Sequence, residues 1–400
     1  MVPFDVWREL AAKTPSKIVL VVVDGLGGLP DASGRTELEA AHTPNLDALA
    51  ARSSLGATVG VAAGISPGSG PGHLALFGYD PIRYVVGRGA LSALGVGFDL
   101  GPDDVALRMN FATLDEAGNV IDRRAGRIPT ETNRRLVEKL RTIRLPSAQV
   151  FVETEREYRA VLVLRGEGLS DRVTDTDPQR TGVPPLPVRP ETPEAQRTAD
   201  LLNQFVAKAR ELLRGEHPAN GVLLRGAAKR PHLPTFGELY RLTPAAIAVY
   251  PMYRGLARLV GMEVLQTGES MADEVQTLRQ HWDRFDFFFV HFKPADSAGE
   301  DGDFARKARV LEEIDRLVPE VLALRPDVFA LGGDHATPST YRSHSWHPVP
   351  FLLHSPWVLP EGTPGFSERA AVRGVLGRFP AIEIMGLLLA HAQKLTRYGA

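Results

Sequence analysis

Seven side chains able to bind cations or attack phosphorus stand at four places in this 400-residue chain. Asp24 follows the apolar run of "KIVLVVVDGLGG". Ser69 is set in "ISPGSGPGHLALFGYDP". Asp296 and Glu300 lie in "HFKPADSAGEDGD". Asp334 and His335 close "PDVFALGGDHATP", and His344 opens "HSWHPVP" soon after. Carboxylate and imidazole without sulfur suit Mn, Zn, Mg or Fe, and carboxylate-rich sets lean towards the harder ions. Six such ligands exceed what one ion needs. The chemistry expected is therefore a two-metal site, where paired ions stabilise the attacking and leaving oxygens of a phosphoryl displacement. Taken singly, an acid after a strand is more often a helix cap or a turn former, and Asp24-Gly25 alone reads as a turn. The joint pattern outweighs that reading, because all the acids fall at strand ends.

Ser69 fits the same chemistry. A serine hydroxyl is a poor nucleophile until its proton is removed or a metal binds it. Gly68, Gly70 and Gly72 allow tight turns and close approach of a phosphate. The residues after it read as a helix start, whose free N–H groups favour an anion. In isolation the stretch reads better as a flexible Gly/Pro loop with an incidental serine.

These residues need a scaffold that brings them together. Short, fully apolar runs at 18–23, 286–292 and 327–331 have the character of strands in a parallel sheet covered on both faces. Helical periodicity separates them, at 43–52, 192–213, 271–281, 303–323 and 382–395. The alternation predicts a doubly wound α/β core, in which ligands bind beyond the carboxyl ends of the strands. Residues 103–188 differ: alternating runs such as "DVALRMNFATLD", "AQVFVET" and "YRAVLVLRG", with one helix at 130–141, predict a small α+β module. "TDTDPQRTGVPPLPVRPETP" reads as a Pro-rich linker closing it. The expected division is a core of 1–102 and 189–400 with 103–188 inserted.

Composition narrows the class. Apolar residues make up 44% and charged ones 24% of the chain, the net charge is −2, and there is no cysteine. That is the mix of a soluble globular protein. No basic tract marks a nucleic-acid partner. Disulfides and thiolate metal sites are excluded, and a reducing, cytoplasmic setting is expected. The mixed-charge N-terminus has no apolar signal region, and no run is long enough for a membrane span.

Taken in order, "VVVDGLGG", "SPGSGPGHLALFGYDP", "DRRAGRI", "LLRGAA", "HFKPADSAGEDGD", "GGDHATP" and "HSWHPVP" resemble the archaeal-type cofactor-independent phosphoglycerate mutases of the alkaline phosphatase superfamily. The resemblance implies an alkaline-phosphatase-like core with an inserted domain that covers the substrate. It implies a metal-dependent isomerase of glycolysis and gluconeogenesis, interconverting 3-phosphoglycerate and 2-phosphoglycerate through a phosphoserine and needing no 2,3-bisphosphoglycerate. Ser69 takes the nucleophile's position. Asp24, Ser69, Asp334 and His335 match the ligands of one ion; Asp296, residue 300 and His344 match those of the other. The family pattern calls for histidine at 300, where this chain has Glu300, which favours Mn or Mg over Zn or Co. His347 receives no role.

A small anion with phosphate and carboxylate groups suits arginine. The candidates are Arg225 and Arg127, then Arg124, Arg123, Arg108 and Arg254. His73, four residues after Ser69, either touches phosphate or packs. A metal-dependent phosphomonoesterase or phosphotransferase on another hydroxy acid is the alternative enzyme. A non-catalytic metal-binding interaction protein is the alternative outside catalysis. A homo-oligomer is left open.

Overall fold

The computed structural model describes residues 2–360 and 362–399. Among these, thirteen strands form two sheets: β1 (Ile18–Val23), β2 (Ser54–Val59), β3 (Val105–Leu114), β4 (Val120–Asp122), β5 (Gln149–Arg156), β6 (Arg159–Arg165), β7 (Gly221–Ala228), β8 (Pro244–Ala248), β9 (Glu263–Val264), β10 (Phe287–Phe292), β11 (Val328–Gly332), β12 (Val349–His354) and β13 (Gly377–Pro380). The chain divides into two compact units, Met1–Val85 with Leu233–Ala400, and Val86–His232.

The first unit is built on an eight-stranded sheet in the order β13-β2-β12-β11-β1-β10-β8-β9. β1 lies parallel between β10 and β11, with Val21 opposite both Val290 and Leu331. Every residue of β1, β10 and β11 is buried. Continuous apolar runs form such strands because both faces are covered, and each buried Val, Leu or Phe side chain contributes about 1.5–3 kcal/mol. β12 runs antiparallel to β11 and β2, so the sheet is mixed. Helix Phe304–Leu322 turns Val310, Leu311, Ile314, Leu317, Val318 and Val321 towards the core, and these join the cluster formed by Val19, Val21 and Val23. With β1, β10 and β11 parallel and in register, their carboxyl ends meet at one edge, where the acids lie.

The second unit holds a five-stranded antiparallel sheet in which β3 pairs with β4, β6 and β7. It extends beyond the 103–188 expected from sequence, and the reason is backbone pairing. β7 lies alongside β3, with Arg225 opposite Arg108. Helix Gln196–Leu212 buries Leu201, Leu202 and Phe205 in the same core. Helix Arg88–Gly95 sits so close to β3 that a side chain at Gly89 would meet the Ala106 carbonyl oxygen at 2.0 Å. The Pro-rich stretch is not a linker. Its backbone is pinned to this unit: Val120 N donates to Val183 O at 2.8 Å and Thr176 N to Leu224 O at 3.0 Å.

One polar contact in the first unit ties the strand ends together. Lys307, fully buried on the long helix, donates to the Gly27 carbonyl at 3.0 Å and to the Thr337 carbonyl at 2.9 Å. Its counter-charge is Glu37, 4.0 Å away, itself held by the backbone N–H and hydroxyl of Ser339. Burial penalises the ammonium and pulls its pKa down, so the bonds must offset that cost. Lys307→Met keeps the volume but strands both carbonyls and Glu37. It is expected to lower unfolding free energy by about 3–5 kcal/mol, read from the urea midpoint at constant m-value.

Candidate active site

Helix Ser69–Leu76 begins at Ser69 itself. Gly68 is extended and, among the described residues, no side-chain cap bond closes the first turn. Pro71 is tolerated in this first turn, where its missing N–H costs nothing. His73, Leu74, Ala75 and Leu76 anchor the helix in the core. Gly72 allows it to approach the loop after β11: a side chain there would lie 2.4 Å from the Asp334 carbonyl oxygen. The Ser69 hydroxyl consequently sits 3.2 Å from His335 Nε2.

Around that imidazole the acids converge. Asp24, at the end of β1, places Oδ1 3.3 Å from His335 Nε2. Asp334 Oδ2 is 3.1 Å from the same nitrogen and 3.2 Å from His73 Nδ1. Asp296 lies in the first turn of helix Pro294–Asp301, with Oδ1 3.5 Å from His344 Nε2. The two imidazoles stack at 3.6 Å. Asp24, Asp296, Asp334 and His335 are buried, with at most 1% exposure.

Each histidine is turned by a bond at its other nitrogen. The Thr337 hydroxyl donates to Asp296 Oδ1 at 2.6 Å and so receives the His335 Nδ1 proton at 3.0 Å. His344 Nδ1 donates to the Pro67 carbonyl at 3.1 Å. Both rings therefore present Nε2 to the acids, as a metal ligand requires. Two ligand groups result, Asp24 with Asp334 and His335, and Asp296 with His335 and His344.

Charge points the same way. Three buried carboxylates face one ammonium, Lys293, which is 3.1 Å from Asp24 Oδ2 and also bonds Asp296. Burial disfavours a charged imidazole, yet Asp334 and Asp24 outweigh it and push the His335 pKa up to about 9. Burial likewise opposes the Asp296 carboxylate, which His344 and Lys293 nonetheless hold well below the usual range. Among the described residues, no hydrogen bond reaches Asp24 Oδ1 or Asp334 Oδ2. Buried, anionic and undonated oxygens beside imidazole nitrogens are the donor set a divalent cation takes, so the residues fit the metal reading.

Not every expected residue joins. Glu300 stands outside both groups, its side chain 56% exposed and Oε1 3.8 Å from His344 Nε2. His73 is buried with Nδ1 2.8 Å from the Ser69 carbonyl oxygen and beside Asp334; of its two alternatives, this is packing. Arg254 lies on helix Pro251–Leu259 with a buried, unbonded Nε. Arg108, Arg123, Arg124, Arg127 and Arg225 belong to the second unit. There Arg123 grips Asp177 through two bonds of 2.8 Å, with Arg225 3.4 Å from the same carboxylate. Arg108 pairs with buried Glu155 at 3.1 Å, while Arg124 and Arg127 are exposed. His347 bonds Ser345 and stacks on Trp346. Lys293, Thr337 and Tyr253 were missed. The first two stand inside quoted motifs, whereas nothing in "YPMYRG" marks Tyr253.

Gly72→Ala tests the placement of Ser69. The added methyl must displace the Asp334 loop or the helix. Affinity for Mn²⁺, measured calorimetrically on metal-free protein, is expected to fall by about 10–100-fold, the usual effect of disturbing ligand support. An unchanged value would show that the loop absorbs the methyl without moving its carboxylate.

Comparison with known proteins agrees with this geometry. The family model described as 2,3-bisphosphoglycerate-independent phosphoglycerate mutase matches residues 50–220. A curated Thermus thermophilus protein named probable 2,3-bisphosphoglycerate-independent phosphoglycerate mutase is 56% identical over 403 residues, 99% of each chain. A protein of the same name from Aquifex aeolicus is 49% identical, over 99% of this chain and 100% of its own. The solved structure of a cofactor-independent phosphoglycerate mutase from Thermoplasma acidophilum superposes with a TM-score of 0.72 at 33% identity, covering 94% of this chain and 100% of that one. A Pyrococcus horikoshii protein reaches 0.84 at 30% identity, over 97% and 100%. With full-length identity far above what fold alone requires, the chain belongs to the 2,3-bisphosphoglycerate-independent phosphoglycerate mutases, a family of isomerases.

Proposed function

We propose that the chain interconverts 3-phosphoglycerate and 2-phosphoglycerate through a phosphoserine on Ser69. The observation that carries this reading is the Ser69 hydroxyl 3.2 Å from His335 Nε2, at a helix start and beside the Asp24 and Asp334 carboxylates. Divalent ions, held by Asp24, Asp334 and His335 and by Asp296 and His344, supply charge for the phosphoryl oxygens and lower the pKa of the serine hydroxyl. Three carboxylates, Asp24, Asp296 and Asp334, against two imidazoles, His335 and His344, favour Mn or Mg over Zn or Co.

Ser69 Oγ forms the new O–P bond, and its proton passes to the glycerate oxygen that leaves. The bond from phosphorus to that oxygen breaks. The other glycerate hydroxyl then attacks the phosphoserine, restoring the serine hydroxyl. The N–H groups of the first helical turn favour the phosphate. The arginines Arg225, Arg127, Arg124, Arg123, Arg108 and Arg254 are the proposed grips for phosphate and carboxylate. Exclusion of water separates this reaction from hydrolysis. Among the described residues no helix is long and apolar enough to cross a membrane, and a cysteine-free chain suits a cytoplasmic setting.

Ser69→Ala is expected to abolish 2-phosphoglycerate formation, measured by coupling to enolase without 2,3-bisphosphoglycerate. Appreciable turnover in that variant would rule out the covalent route. In the same assay chelation should remove activity and Mn or Mg restore it. Release of free phosphate in place of the isomer would instead identify a phosphomonoesterase.

A further inference from the structure

The Asp24 carboxylate is gripped on one oxygen only. Three groups converge on Oδ2: the Tyr253 hydroxyl donates to it, the Lys293 ammonium is 3.1 Å away, and His291 Nε2 is 3.4 Å away. Oδ1 is buried, receives no hydrogen bond among the described residues, and faces His335 Nε2 at 3.3 Å. A buried anionic oxygen left without a donor is costly unless a cation takes it.

Tyr253 is not free to turn away. It is fully buried on helix Pro251–Leu259. Its ring lies flat on His291 with centroids 3.7 Å apart and planes 26° from parallel. It also packs against His73 at 4.8 Å. His291 and His73 are themselves buried, so the stack holds the phenol at a single position. A phenol has one proton. Here it goes to Asp24.

We propose that Tyr253 is a positioning residue that assigns the two oxygens of Asp24: Oδ2 is turned inward onto the phenol, and Oδ1 is presented to the divalent cation. Asp24 then binds through one oxygen, and its orientation is set before the ion arrives. This inference rests on the metal reading of Asp24, Asp334 and His335. Without the phenol the carboxylate is free to swing towards Lys293, and part of the binding energy goes into turning it back.

The test is Tyr253→Phe, which keeps the ring and its stack. Mn²⁺ is titrated calorimetrically into metal-free parent and variant, with no substrate present. The variant's Kd is expected to rise by about 10–100-fold. Its turnover should recover when Mn²⁺ is raised, with KM for 3-phosphoglycerate unchanged, an outcome that general loss of structure would not produce. A Kd within twofold of the parent overturns the proposal. Should the variant fail to fold, a crystal structure of the parent with Mn²⁺ decides instead. Oδ1 alone on the ion, with Oδ2 still on Tyr253, supports the assignment; both oxygens on the ion refute it. A parent that binds no Mn²⁺ overturns the metal reading itself, a result distinct from unequal or equal binding by the two proteins.

Discussion

Three carboxylates share one dry volume at the carboxyl ends of adjacent parallel strands, and the rest of the site follows from how their repulsion is managed. Asp24, Asp296 and Asp334 are each at most 1% exposed, so water cannot screen them. Lys293 supplies one positive charge between Asp24 and Asp296. His335, between Asp24 and Asp334, is drawn towards its charged form by both. The balance still favours cations at this place, which is also where a phosphoryl group would bring further negative charge.

The support for that arrangement reaches outward in layers. Thr337 joins Asp296 to His335 through one hydroxyl, and Lys307 holds the Thr337 carbonyl together with that of Gly27. Gly25 has φ +69° and no room for a side chain, with Thr337 Oγ1 2.6 Å and Asp296 Cα 2.9 Å from where one would begin. The loops after β1 and β11 are therefore locked to one another and to the helix that carries Asp296. Sites held this way bind without first reorganising.

Position 300 holds an exposed carboxylate at the margin of the Asp296 group. The imidazoles of that group are His335 and His344.

Much of this was legible in one dimension. Short, fully apolar runs rich in β-branched or aromatic residues, such as "IVLVVV", suit strands covered on both faces, so β1, β10 and β11 could be read directly, and with them the side of the sheet on which Asp24, Asp296, Asp334 and His335 would fall. The second unit was legible in kind but not in extent. β7 and helix Gln196–Leu212 belong to it through pairing with β3 and burial of Leu201, Leu202 and Phe205, contacts that a local pattern cannot record. The same holds for single side chains. Tyr253 and Lys307 look like ordinary helical residues, and their importance lies in partners at sequence separations of 229 and 280. Residue type and strand order determined which chemistry could be gathered. Tertiary packing decided which oxygen of each acid stays free, because that depends on distances between segments that nothing along the chain encodes locally.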